Sequence, residues 1–458
     1  MNATAFLHLF QHNPQIKILE EALRYDEKHL HLKGLMGSAT AITLAALFDK
    51  SGKQQHLVVL SEKEEAAYFY NDLEALLGDA GLDHNKKRVL FYPTTYKRPY
   101  EPEKLDKAYE LSRTEVLKRF LNDDRKTIVV TYPEALAEKV ITKTFLNKNM
   151  MKLRQGEEVS LDFLTDLLIE FDFEMTDFVA EPGQFALRGG IVDVFSYSND
   201  HPYRIEFFGD EVESIRTFDP TSQLSVQNLH RITLLPNVQN RQLKEERISF
   251  LDYLPAKTLW WLTDVELIHN HLVNEYEKAL NTFGKTDNEQ ALPPEQLFIN
   301  GRHFTEKISG LHTVEFAPSS FFDEAKVVLF HQSPQPAFNK KFDLLSENLR
   351  QKTEEGFQPF ILSGNTKQIE RLHAIFEDMN QTTAPVQFSP VEISLTTGFI
   401  DHDLKILCYT DHQLFERYHK FHLREGFGRK EALSIKELYN LNPGDYVTHI
   451  DHGVGRFD

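Results

Sequence analysis

Residues 183–220 read GQFALRGGIVDVFSYSNDHPYRIEFFGDEVESIRTFDP, and this stretch decides how the middle of the chain folds. Ile191, Val192, Val194 and Phe195 form a short β-rich apolar run, broken by 196–202. From Arg204 to Phe208 polar and apolar side chains alternate, the period of a half-buried strand. Gly209-Asp210 reads as a tight turn into a second alternating strand over 212–218. Such a hairpin buries its aliphatic face and carries Arg188, Arg204, Glu206 and Arg216 on or near the other. Gly189 and Gly190 permit a positive φ or a close backbone approach just before the first strand.

The ordered string RGGIVDVF, followed by PYRIEFFGDEVESIRTFD, resembles the second domain of the UvrB family of nucleotide-excision-repair proteins. It resembles more closely the UvrB-like module at the amino end of the transcription-repair coupling factors, the Mfd family. The resemblance implies docking onto UvrA, the damage-sensing partner. It also implies that Phe185, Arg188, Arg204 and Glu206 stand at UvrA-contacting positions. The chemistry suits that role: arginine and carboxylate on a rigid sheet form charge-assisted, bidentate pairs, and an aromatic beside them supplies a desolvated anchor. An ordinary hairpin with solvated charges and a core aromatic explains the alternation equally well, but not the whole string.

The chain has 458 residues, enough for three or four domains of about 100–150 residues. No apolar run approaches the ~18 residues of a membrane helix. The start MNATAFLHLFQHNP lacks a basic n-region, a long apolar core and a cleavage site, so no secretory signal is expected. The one cysteine, Cys408, sits in the apolar run LKILCYT and reads as a buried strand residue, which suits a reducing cytoplasm. The net charge of −18 argues against strong duplex binding, which needs Lys and Arg to displace counterions from phosphate. Acidity fits protein partners and a soluble monomer better.

Near the amino end, 14–28 read as an amphipathic helix, and HLHLKGLMGSATAITLAALF over 29–48 reads as strand, glycine turn and helix. That is the layout of a phosphate-binding loop, GxxxxGK[ST]. Gly34, Gly37 and Ser38 fall within the eight places, but Ala39 replaces the second glycine. Thr40 stands where the lysine belongs, and Ala41 where the metal-holding hydroxyl belongs. Without those groups catalysis is not credible, although the helix dipole could still attract an anion weakly. UvrB proteins keep this loop and Mfd proteins carry a decayed one, so the departure agrees with the second resemblance.

Strands at 56–60, 88–93 and 127–131 then alternate with helices at 61–78, 104–121 and from Pro133, implying a RecA-like parallel sheet. Ser61 and Glu64 have the spacing of a capping box. Tyr92, Tyr96 and Tyr100, beside Lys97 and Arg98, could stack on bases, but so short a loop in so acidic a chain favours packing or plain exposure. A helix capped by Ser160 runs to Glu170. After about 225 the chain is expected to return to the first sheet, with Trp260 in the core, Trp261 at the edge, a helix over 268–281 and a polar loop over 282–303. FFDEAK at 321–326 has too short an apolar run to be an ATPase acidic box. Strands at 360–362, 391–395 and 404–410 with helices ending at Gly356 and over 366–379 make another α/β unit. LNPGDYVTHIDHGVGRF, from 441, resembles the opening of the RNA-polymerase-binding domain shared by Mfd and CarD-type proteins.

The expected fold is α/β: a degenerate RecA-like parallel sheet, an inserted α+β UvrA-docking domain, and a second small α/β domain. The boundaries are 1–144 and 221–325 for the first domain, 145–220 for the inserted one, 326–425 for the third, and 426–458 for a linker and truncated polymerase-interacting domain. By resemblance this is the non-catalytic amino-terminal module of a coupling factor, recruiting UvrA to lesion-stalled RNA polymerase. No cofactor or metal is expected here. ATP, magnesium and DNA would engage motor domains beyond Asp458, where an ATP-dependent translocase would act. The rival is a UvrB-like damaged-DNA-binding ATPase or helicase.

Overall fold

The computed structural model describes residues 1–25, 27–52, 55–96, 98–100, 107–122, 125–238, 246–285, 291–379, 386–417, 446–449 and 453–456. Two compact units emerge. One comprises Met1–Glu103, Arg119–Thr142 and Glu246–Leu423; the other comprises Lys104–Lys118, Lys143–Glu245 and Arg424–Asp458.

The first unit is built on a seven-stranded sheet in the order Lys326–Leu329, His29–Lys33, Thr313–Glu315, Leu259–Leu262, Gln55–Val59, Thr127–Thr131, Val89–Phe91. Every pairing is parallel. Gln55–Val59 and Thr127–Thr131 are buried along their whole length, as strands covered on both faces must be. The returning chain enters the middle of the sheet before it extends an edge. Leu259–Leu262 and Thr313–Glu315 insert between His29–Lys33 and Gln55–Val59, and Lys326–Leu329, beyond the expected boundary at 325, then adds outside His29–Lys33, so the sheet is incomplete until residue 329 is in place. Trp261 is therefore not an edge residue: both tryptophans are buried, and Trp261 donates its indole N–H to His56 Nδ1 at 3.2 Å.

Three local expectations differ from the structure here. Ser61 does not cap the helix Lys63–Leu77; Glu62 holds that position without a side-chain bond, and Ser61 Oγ instead lies 3.0 Å from Thr263 Oγ1. A tertiary hydroxyl partner has outcompeted the local cap. The 282–303 stretch is not all loop, because Pro294–Leu297 is helical and Gly301–Ile308 begins there, capped by Asn300. The helix Ala3–Gln11 at the amino end was not anticipated. Tyr92 and Tyr96 are buried, as packing required, and Tyr100 donates its hydroxyl to Leu292 O at 2.7 Å. Lys97 lies outside the described residues.

The same unit holds a five-stranded mixed sheet, ordered Gln332–Pro334, Phe399–Asp401, Ile406–Thr410, Gln358–Leu362, Ser389–Val391. Helices Phe342–Glu354 and Thr366–Met379 belong to it, and Cys408 is fully buried in its strand. The strand expected over 391–395 ends at Val391. The residues beyond leave the sheet, with consequences described below. The helix Ala3–Gln11 joins the two sheets' cores: Phe6 meets Phe360 edge-on at 5.8 Å between ring centroids, and Phe10 meets Phe399 at 6.1 Å.

The second unit carries a six-stranded sheet ordered Ser225–Leu229, Glu211–Phe218, Tyr203–Phe208, Ile191–Val194, Gln184–Arg188, Glu174–Met175. The helix Leu161–Glu170 starts where expected, with Ser160 Oγ accepting from Phe163 N–H at 3.1 Å. Leu164 and Leu168 pack it onto Phe185, Val192, Val194, Ile205 and Ile215. The unit runs past the expected boundary at 220: Ser225–Leu229 extends the sheet, and Arg231–Leu234 pairs antiparallel with Met151–Arg154. Tyr446–His449 pairs antiparallel with Gly453–Arg456, the described part of the polymerase-domain resemblance.

Candidate docking surface

Alternation on four paired strands sorts the second unit's sheet into two faces. Phe185, Val192, Ile205 and Ile215 point at the helix. The opposite face is read across the strands by register. One row is Ala186, Asp193, Arg204, Arg216, Asn228 and the next is Arg188, Ile191, Glu206, Ser214. Three of the four residues singled out in the sequence, Arg188, Arg204 and Glu206, thus share the face opposite the helix.

Phe185 does not join them. It is fully buried in the core beneath the helix, because the residue before Ala186 must point to the other side of the strand. The expectation that Phe185 offers a surface anchor is corrected by this parity. The exposed aromatic beside the charges is Phe178, whose ring lies 5.3 Å from the Arg188 guanidinium.

Asp193 organises the charges. Its carboxylate has no exposure, and Arg204 meets it in a fork, Nε to Oδ1 at 2.7 Å and Nη2 to Oδ2 at 2.8 Å. Arg188 also donates to Oδ2. Arg204 stacks on Phe218 at 4.4 Å, and its hydrogen bond to Asp193 raises its pKa further, so it is charged at any working pH. From the same row Arg216 reaches into the next, donating from Nη1 to Glu206 Oε2 at 3.0 Å, and Ser214 Oγ donates to the same oxygen at 2.6 Å. The Arg216 bond, then that from Ser214, holds the Glu206 carboxyl below its usual range. Arg188 is the most accessible of the set at 38% of its side chain, against 15% for Arg204. Asp193 escaped notice in the sequence. Its signal was an acidic residue inside the apolar run IVDV.

Residues 151–239 match the family model described as the UvrB interaction domain. The six-stranded sheet lies within that match. The matched span covers the helix, all six strands of the sheet and the Arg231–Leu234 pairing, and so agrees with the extension past 220. Around this domain the chain is similar to the transcription-repair-coupling factor of Bacillus subtilis, 24% identical over 93% of this chain and 41% of the relative. It is also similar to that of Staphylococcus aureus strain MRSA252, 24% identical over 68% of this chain and 32% of the relative. The chain therefore spans well under half the length of these relatives.

The glycine turn belongs to the other unit. Gly34 and Gly37 adopt positive φ, +88° and +54°, as a phosphate-type turn requires. Ser38 precedes the helix Ala39–Phe48, yet its side chain makes no capping bond to it. Thr40, in the lysine's place, is buried and short. Gly34, Gly37, Ser38 and Thr40 share this turn and the start of its helix, and the turn is covered. Ser38 N–H donates to Thr397 O at 3.0 Å, and Thr397 N–H donates to Ser38 Oγ at 2.9 Å. Among the described residues, no group of three or more His, Cys, Asp or Glu is placed to hold a metal ion, and no helix is long and apolar enough to cross a membrane.

Proposed function

We propose that this chain is a partner-docking module of the coupling-factor kind, and that its UvrB interaction domain captures UvrA through the face of the six-stranded sheet opposite the helix Leu161–Glu170. The observation that carries the reading is the buried Asp193 carboxylate holding Arg188 and Arg204 in fixed positions on that face. A guanidinium already oriented by a buried partner loses little side-chain freedom on meeting a carboxylate or carbonyl of another protein. Arg216 in the Asp193 row and Glu206 in the next add charge of both signs, which gives the surface a direction. Arg188, Glu206 and the exposed Phe178 are the contact residues we favour; Arg204 acts mainly by holding the row in place.

In the longer proteins of this kind, such a module would bring UvrA to RNA polymerase stalled at a lesion, with polymerase contact beginning in the segment after 441. DNA, ATP and magnesium would belong to motor domains outside these residues. A UvrB-like ATPase or helicase is disfavoured because Thr40 replaces the phosphate-neutralising lysine and the turn's Ser38 N–H is already used.

Calorimetric titration of the chain with purified UvrA at low salt tests this, with ATP as control ligand. Saturable heat is expected with UvrA and none with ATP. Arg188→Ala, which leaves Arg204 paired with Asp193, should weaken the heat at least tenfold while circular dichroism still shows a folded domain. No heat with UvrA, or full binding by Arg188→Ala, would overturn the proposal.

A further inference from the structure

The turn at 34–38 keeps the shape of a phosphate cradle after losing the lysine, and something now fills it. The residues after Val391 leave the five-stranded sheet and lie across the turn. All six backbone polar groups of 396–398 are paired. Thr396 N–H donates to Asp72 Oδ1 at 2.7 Å, and its carbonyl accepts from His412 Nε2 at 2.7 Å. Thr397 N–H and O pair with Ser38 Oγ and Ser38 N–H. Gly398 N–H donates to Gln413 Oε1 at 2.7 Å, and its carbonyl accepts from Gln335 N–H at 3.3 Å. A surface loop leaves such groups to water; complete pairing marks a docked segment.

We propose that the relic turn is a peptide socket whose ligand is the 396–398 loop of the same chain, locking the seven-stranded and five-stranded sheets together where a phosphate would otherwise sit. The groups are those placed to meet a phosphate, the N–H at a helix start and the hydroxyl beside it, but here the N–H donates and the hydroxyl accepts. Here they hold a carbonyl and an amide in a reciprocal pair. Gly37 is shaped for this occupant, since a Cβ there would stand 2.8 Å from Thr397 O and 3.0 Å from Gly398 O. Asp72, on the helix Lys63–Leu77, receives both the amide and, at 2.9 Å, the hydroxyl of Thr396. Met36 N–H is also taken, by Gln332 Oε1 at 3.0 Å from the five-stranded sheet. A retained helix start has thus changed from holding an anion to holding its own chain.

Hydrogen exchange of the whole chain, resolved at single amides, tests the socket. Ser38→Ala removes the acceptor of the Thr397 amide, and Asp72→Asn weakens the acceptor of the Thr396 amide. Ser38→Ala should speed exchange at the Thr397 amide about tenfold, the equivalent of one lost hydrogen bond, and Asp72→Asn should speed it at the Thr396 amide by less, since its amide oxygen still accepts, with the seven-stranded sheet unchanged. Pyrophosphate at millimolar concentration should alter nothing in the unsubstituted chain. Thr397 protected equally with and without the Ser38 hydroxyl, or pyrophosphate changing exchange at Ser38, would overturn the socket. Binding of UvrA by Ser38→Ala is expected to be intact, which separates failure here from failure of the docking proposal.

Discussion

Arg204 and Asp193 face each other across neighbouring strands, and the guanidinium meets both carboxylate oxygens while Phe218 supports it from one side. Arg188 reaches the same carboxylate. One buried negative charge therefore sits between two positive ones on the face opposite the helix Leu161–Glu170. The pairing satisfies a charge that burial alone would penalise by several kcal/mol. The excess positive charge stays at the surface, where a partner can use it.

Asp193→Ala should destabilise the UvrB interaction domain by about 3–5 kcal/mol, because two guanidinium groups then face each other across an emptied site. Arg204→Lys keeps the charge but loses the fork and the stacking, and should cost about 1.5–3 kcal/mol. Urea unfolding followed by far-ultraviolet circular dichroism reads both. A loss below about 1 kcal/mol for Asp193→Ala would show that water, not the arginines, satisfies the carboxylate.

Gly37→Ala should cost more than Gly78→Ala. Both glycines have positive φ, +54° and +70°, so each alanine carries about 1–2 kcal/mol of backbone strain. Only at Gly37 does the new Cβ also meet backbone oxygens, whereas nothing lies within 4 Å at Gly78. Parallel thermal melts of the two variants decide it: equal losses would mean that the 396–398 loop yields without cost.

Ala39→Gly, Thr40→Lys and Ala41→Thr together restore the letters of the phosphate loop and should not restore ATP turnover. Thr40 and Ala41 are buried, and the loop from the five-stranded sheet covers the turn before them. A coupled phosphate-release assay is expected to stay at background. Turnover above that level would mean that the turn opens readily.

What the sequence revealed and what it concealed follow from how local each signal was. The hairpin of Tyr203–Phe208 and Glu211–Phe218 was legible because period-2 alternation and Gly209-Asp210 lie within one short window. The parallel sheet was legible because strands at 56–60, 88–93 and 127–131 alternate with helices along the chain. Phe185 was misplaced because strand parity is set by partners: a one-residue shift moves a side chain to the other face, and register with Val194 puts Phe185 inside. The docking of 396–398 on Ser38 joins residues hundreds of positions apart, so no window contains both halves. Ser61 repeats that lesson on a smaller scale, since Thr263, not its own helix, took the hydroxyl.

The last expectation concerns pH and Asp72. Burial pushes its carboxyl up to about 6 from an unfolded value of 3.8, opposed in part by hydrogen bonds from Ser38 and Thr396. The folded chain therefore holds this proton to higher pH than the unfolded chain does. Below 3.8 both states are protonated and the carboxyl makes no difference. As pH rises toward 6 the unfolded state ionises first, so stability falls across that window and then levels off. The full difference is on the order of 3 kcal/mol. Asp72→Asn keeps an acceptor for the Thr396 amide and removes the proton. Unfolding free energies at pH 4 and pH 7 should then differ between the two proteins by about this amount, the unsubstituted chain gaining more on acidification. Identical pH dependence in the two would show that Asp72 is solvated in solution and that the contact with Thr396 does not persist there.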